Sequence, residues 1–221
     1  MAALTLERYK AFMDQALATR DYHPPRPVLS RHATFTLALE YLLTVSDPFI
    51  VELGTSRSFV DGVVCQDPAA WDPSDPATWD HGAGIFTYLF AEALQGRPFE
   101  LQTVDVDPDA LRVCMHMTRG LSGIAHVCRS STEYLLELPR QAHLIYMDQG
   151  DTFLGAAHLH ARDAAIIEAR NLVVPGGIVL VDDVCANATG GKGALSVGYL
   201  LDHGFTLVMN EYQALLRRHD V

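Results

Sequence analysis

Acidic side chains recur in this sequence where short apolar runs end. PFIVELGTSRSF leads three apolar residues into Glu52 and then Gly54, FELQTVDVD ends on Asp105 and Asp107, HLIYMD on Asp148, and GIVLVDDV on Asp182 and Asp183. A fifth run, in HVCRSSTEYL, ends on Ser130 and Ser131. A carboxylate is expensive to desolvate unless something pairs with it. Polar residues commonly terminate strands, so one such position says little. Gathered on one rim, the set would line a crevice for a ligand that donates hydrogen bonds or carries positive charge.

Other chemically able residues are more scattered. His81 in WDHGAG is a candidate general base, set against an ordinary solvated loop histidine. Arg57 could meet a ligand carboxylate or simply be an exposed loop arginine. Lys192 sits in a Gly-Gly-Lys-Gly stretch that reads as a mobile rim loop, since no Walker pattern surrounds it. His158 and His160 are two apart on a helical pattern, about 200° around it, and cannot share a metal. The stripe of Leu111, Met115 and Met117 reads as core.

The elements that must position these residues alternate in type. Strand-length runs at 49–54, 99–107, 125–127, 143–148, 177–183, 205–210 and 212–218 are separated by helical stretches at 84–96, 108–121, 131–139, 156–173 and 193–204. Strand, helix and strand in succession mean crossover units and a mostly parallel sheet covered on both faces. Only the last two runs are joined by a turn too short for a helix, so they form an antiparallel hairpin. The expected architecture is a doubly wound α/β domain with a seven-stranded, mostly parallel sheet, spanning residues 1–221. Ahead of it lie an amphipathic stretch, the proline-stiffened DYHPPRP and a helix over residues 30–44; together residues 1–46 form a helical cap. Residues 65–84, rich in proline and aspartate and carrying Trp71 and Trp79, break the rhythm as an insertion. Its tryptophans could anchor it to the body, and a long loop beside a ligand site could also be a lid.

Composition narrows the function classes. The chain has 221 residues, is 49% hydrophobic and 19% charged, and suits one folded core. No apolar run approaches the ~20 residues that span a bilayer, and the N-terminal stretch carries charges of both signs rather than a signal-peptide core. The formal net charge of -11 argues against a nucleic-acid partner. Cys65, Cys114, Cys128 and Cys185 form no CxxC pair, so reduced thiols in a cytoplasmic protein are expected. A homodimer is a further option.

In open α/β sheets a ligand sits beyond the carboxyl ends of the strands, where strand order reverses. A dinucleotide would require a glycine-rich first turn with an acidic residue about 20 positions on, but only Gly54 stands here and Asp105 lies far downstream. A pyrophosphate would also be repelled by Glu52. S-adenosylmethionine fits the carboxylates better: it has no phosphate, carries a sulfonium and an amino group, and still offers a ribose.

From Phe49 to the C-terminus the sequence resembles the class I S-adenosylmethionine-dependent methyltransferases. Glu52, Gly54, Thr55 and Ser56 match the family's acidic first-strand end and small-residue turn, and Asp105 the acid that grips the ribose hydroxyls. Ser130 or Ser131 matches the polar residue near the adenine, LIYMDQGD the fourth-strand motif, and NLVVPGGIVLVDDV the helix, turn and fifth strand. Ser58, where many members have glycine, and the 65–84 insertion depart from the pattern. The resemblance implies methyl transfer to an oxygen or nitrogen of a small-molecule acceptor, with Asp148 nearest the transferred methyl. A narrower resemblance is to the metal-dependent catechol-type O-methyltransferases, in which Asp148, Asp182 and Asp183 would hold magnesium, with Asp151 as an alternative ligand. Related enzymes without metal also carry an acidic pair there. Asp182 and Asp183 are consecutive and would point to opposite faces of a regular strand, so both reach one ion only if the chain turns as it leaves the sheet. A nicotinamide-dependent oxidoreductase and a catalytically silent S-adenosylmethionine-binding domain are the alternatives.

Overall fold

The computed structural model describes Glu7 and residues 31–59, 67–75, 79, 85–151, 155–184 and 190–220. The N-terminal amphipathic stretch and the DYHPPRP connection lie outside the described residues, apart from Glu7.

The first described helix, α1 (His32–Thr44), buries Phe35, Ala38, Leu39 and Leu42, the i, i+3, i+4, i+7 spacing of a single apolar face. It is followed by β1 (Phe49–Leu53), α2 (Phe86–Leu94), β2 (Glu100–Asp105), α3 (Pro108–Met117), β3 (Ile124–Cys128), α4 (Ser131–Glu137), β4 (Ala142–Met147), α5 (Ala156–Ala169), β5 (Val173–Val181), α6 (Ser196–Asp202), β6 (Phe205–Asn210) and β7 (Ala214–Arg218). The seven strands lie in the order β3-β2-β1-β4-β5-β7-β6. The first five are parallel, and β7 runs antiparallel between β5 and β6. The doubly wound sheet and its terminal hairpin are as expected. Strand order reverses between β1 and β4, so their carboxyl ends open a crevice there.

Period-two alternation assigns each strand residue to one of two cores. Ile50, Leu101, Leu144, Tyr146 and Leu180 pack under α1, α2 and α3, with Phe35, Phe86, Phe90 and Val113. Val51, Leu53, Val104, Ile145, Met147 and Val179 pack on the other face, against Leu135, Ile167 and Leu200 of α4, α5 and α6. Phe35 meets Phe90 edge-on at 5.4 Å and Tyr146 at 5.8 Å, so α1 is docked on the sheet by aromatic contacts. Trp79 is fully buried in the same core; it stacks on Trp71 at 5.5 Å, and Trp71 meets Tyr88 of α2 edge-on at 5.1 Å. The tryptophans of the insertion are therefore anchors.

One boundary differs from expectation. β5 begins at Val173 rather than at Gly177, because Val173 already pairs with Ala142. The register then shifts before Leu144, and Pro175 and Gly176 ride in that irregularity, where a missing N–H is tolerated.

Candidate functional site

Beyond the carboxyl ends of β1, β2, β4 and β5 lies a cavity of about 510 Å³, lined by Gly54, Thr55, Asp105, Asp148, Asp183, Lys192 and Tyr212 among others. The turn after β1 is its floor. Gly54 holds φ +85°, and a Cβ there would lie 2.8 Å from the backbone N and Cα of Gln149. Only glycine lets the β1 and β4 ends approach this closely.

Asp105 faces the cavity from the end of β2. Its two oxygens accept the N–H groups of Thr55 at 3.0 Å and Asp107 at 2.8 Å. Burial raises its pKa despite those donors. Asp107 instead caps α3, accepting from the Asp109 N–H with Pro108 in the first turn. The Thr55 hydroxyl is buried beside the Cys114 thiol.

Glu52 does not line the cavity. Alternation turns it with Ile50 toward α2, where the Thr87 hydroxyl donates to it and Thr103 stands opposite on β2. It is 2% exposed, and burial pushes its carboxyl up to about 7 against the pull of both threonine hydroxyls. The partner that the sequence left open is thus the neutral Thr87 hydroxyl of the chain.

The β4 and β5 ends do converge. Asp148, Asp182 and Asp183 each offer a carboxylate oxygen within 4.8 Å of the others. The turn required of the chain occurs at Asp183, which adopts φ +52° just past the strand. Three carboxylates so placed repel by about 4 kcal/mol per pair at 4 Å and an effective dielectric near 20. Two buried cations of the chain offset this. Arg31 grips Asp182 with Nε–Oδ1 2.8 Å and Nη2–Oδ2 2.6 Å, a two-pronged contact that only a guanidinium makes. Lys192 donates to Asp148 Oδ1 at 2.7 Å, to the Asp148 carbonyl at 3.0 Å, and contacts Asp183 Oδ2 at 3.0 Å. Gln213 adds a 2.6 Å hydrogen bond to Asp182, and the Tyr212 hydroxyl donates to Asp183. Arg31 in turn lies 4.6 Å from the centre of the Tyr212 ring.

The charges follow from these contacts. Asp182 is held well below the usual carboxylate range, its burial outweighed by Arg31. Lys192 is held above its ordinary value, because Asp148, Asp182 and Asp183 outweigh its desolvation. Asp148 is held well above the usual carboxylate range, because burial and the neighbouring Asp182 charge outweigh Lys192. A magnesium ion would find the oxygen chemistry suitable and the place taken. Both oxygens of Asp182 already accept from Arg31, and an ammonium sits between Asp148 and Asp183. This donor set does not fit a resident divalent ion.

The glycines around Lys192 also differ from expectation. Residues 190–193 are not a loose rim. Gly190 and Gly191 take φ +96° and +54°, and a Cβ on Gly193 would sit 2.5 Å from Val184 Cγ1. The short 3₁₀ turn Gly191–Gly193 is packed down on the end of β5, which leaves Lys192 only 4% exposed.

Ser130 caps α4, accepting from the Glu133 N–H at 3.2 Å, and Ser131 turns inward to donate to Asp163. Neither lines the cavity. Asp163 also accepts from Thr132 at 2.6 Å and Gln149 at 2.8 Å, tying α4 and the β4 loop to α5. Thr55 lines the cavity, while Ser56, only 2% exposed, does not. Arg57 and Asp151 pair at 2.7 Å across the cavity mouth. His160 is buried, binds the Gln149 carbonyl at 2.9 Å and is pushed down to about 4 by burial. His81 lies outside the described residues. The sequence alone did not reveal Arg31; its only signal was a lone charge ahead of an apolar helix.

No protein-family model matches the sequence, and neither does any curated protein. Solved structures do align with the chain over nearly its whole length. Cofactor-bound Rv0187 from MTB superposes with a TM-score of 0.59 at 14% identity, covering 98% of this chain and 89% of its own. The N-methyltransferase NodS from Bradyrhizobium japonicum WM9, in complex with S-adenosyl-L-homocysteine, gives 0.53 at 16%, with coverages of 96% and 98%. A putative rRNA-methylase from Clostridium thermocellum gives 0.54 at 12%, with coverages of 84% and 96%. The fold is that of the class I methyltransferases. Within that methyltransferase fold, the cavity lies at the switch point between β1 and β4, and among the described residues no helix is long and apolar enough to cross a membrane.

Proposed function

We propose that the chain is an S-adenosylmethionine-dependent methyltransferase acting on an oxygen or nitrogen of a small-molecule acceptor. The observation that supports this most is Asp105. Two backbone N–H groups fix its carboxylate at the cavity wall, and each oxygen keeps a lone pair to accept a ribose hydroxyl. The cavity, about 510 Å³, falls in the usual range for such ligands. The close-packed Gly54 turn adds a narrow floor, and Thr55 lines it.

When bound, S-adenosylmethionine supplies an electrophilic methyl on a sulfonium. The chain's contribution is to hold donor and acceptor in contact and keep water out, which provides much of the rate in such a displacement. Asp105 orients the ribose. Arg57, at the mouth, is suited to the methionine carboxylate once it exchanges Asp151 for it. Asp148 lines the acceptor side. Lys192 and Arg57 pair with the other wall carboxylates Asp148, Asp183 and Asp151, which leaves Asp105 and Asp107 as the acids facing a ligand without a paired cation among the described residues.

Titration with S-adenosylhomocysteine tests the proposal, since a ligand that binds only the folded state raises the melting temperature by mass action. Binding that is lost in Asp105→Ala is expected. No melting shift at millimolar ligand, or a shift given by a nicotinamide dinucleotide instead, would refute it. Binding with no turnover on any acceptor would leave a silent binding domain.

A further inference from the structure

The convergence of Asp148, Asp182 and Asp183 has the geometry in which a divalent ion is usually held, with hard oxygens from two adjacent strand ends. In this chain the centre of that geometry is occupied by a side chain. An ammonium has three donors. Lys192 donates to Asp148 Oδ1 at 2.7 Å and to the Asp148 carbonyl at 3.0 Å, and pairs ionically with Asp183 Oδ2 at 3.0 Å. Asp182 stays beside the other two carboxylates, but both of its oxygens already accept from Arg31, and Gln213 donates to one of them. The backbone is shaped for this arrangement: the left-handed turn at Asp183 brings its carboxylate back toward Asp148, and the close packing of Gly193 on Val184 presses Lys192 inward.

We propose that Lys192 is a resident cation that takes the place of a divalent metal at the acceptor side of the cleft. Lys192 is then a positioning residue. It holds Asp148 and Asp183 in one constellation at the cavity wall, and the acceptor meets protein groups and not a metal-bound oxygen. The consequence for catalysis rests on the methyltransferase proposal; the statement about cation occupancy does not.

The test is a Mn²⁺ titration of the full chain followed by electron paramagnetic resonance, which counts free ions and needs no activity. Wild-type protein should leave Mn²⁺ free up to the millimolar range, and excess Mg²⁺ should not raise its melting temperature. Lys192→Ala uncovers the oxygens and should bind Mn²⁺ at least about tenfold more tightly than wild type, a difference of about 1.4 kcal/mol. That gain should vanish when Asp183→Asn is added, and Lys192→Arg, which keeps the charge, should stay metal-free. Submillimolar Mn²⁺ binding by wild type that disappears in Asp148→Asn would overturn the proposal, and this arm does not depend on whether a lysine variant folds. Folded Lys192→Ala with no gain in affinity would overturn it as well. Failure to bind S-adenosylhomocysteine would refute the methyltransferase reading and leave the metal result standing.

Discussion

The two sides of the crevice treat their carboxylates differently. On the β1 and β2 side, Glu52 is held by the Thr87 hydroxyl and Asp105 by backbone N–H groups, with no cation as a hydrogen-bonding partner among the described residues. On the β4 and β5 side, every carboxylate of the trio touches a buried cation. Of the two only Asp105 reaches the cavity, where neutral donors leave its carboxylate oxygens free to accept further hydrogen bonds from a ligand. Ion pairing satisfies the charge internally and makes the other side rigid. The same residue type, at equivalent strand ends, thus yields a binding wall in one place and a structural cluster in the other.

Removing one cation should break the contrast most severely. Arg31→Met would leave Asp182 buried and unpaired, and an orphaned buried charge costs about 3–5 kcal/mol. Urea unfolding should show that loss; a change under about 1 kcal/mol would mean that the ion pair is not what secures α1 to β5. The pH response of the other side comes next. The folded state raises the Glu52 carboxyl from 4.5 to about 7, so its protonated form favours folding. That contribution is complete below 4.5 and is lost as pH rises through about 7. Wild type should therefore lose up to about 3 kcal/mol between about pH 4.5 and 8 relative to Glu52→Gln. Parallel stability curves for the two proteins would contradict the contrast.

The binding wall is probed more gently. Asp105→Asn keeps one acceptor for the Thr55 or Asp107 N–H, so the fold should lose only about 1 kcal/mol. Its affinity for S-adenosylhomocysteine should fall about tenfold to a hundredfold, as read by calorimetry. Equal affinities would remove the ribose role from Asp105. The smallest effect belongs to the pair at the mouth. Arg57 and Asp151 are 60% and 50% exposed, and Arg57→Ala should change stability by less than about 1 kcal/mol in a thermal melt.

Much of this molecule could be read along the chain. The alternation of strands and helices, the terminal hairpin and the carboxylates at the strand ends follow from local pattern, because apolar periodicity and capping are short-range. The turn that brings Asp183 beside Asp182 was recognisable as a condition but not as a fact. Glu52 was legible as an acid at a strand end and was expected to face the ligand; its inward direction was not legible, since one residue of register decides which face a side chain takes. The Gly-Gly-Lys-Gly stretch shows the limit most clearly. Glycine permits both mobility and close packing, and only contact with Val184 selects the second.

The sequence by itself determined that carboxylates stand at the strand ends and that those sharing a small site would need counter-charge; it did not show that Glu52 turns away from the cavity. Nor did it determine which cations would answer those carboxylates. Arg31 lies 151 positions from Asp182, and Lys192 44 from Asp148. Their pairing depends on α1 crossing the sheet at β4 and β7 and on the turn after β5 folding back over the strand ends. Coulomb attraction between buried groups acts through space and ignores chain order, so only the tertiary structure decides where a charge finds its partner.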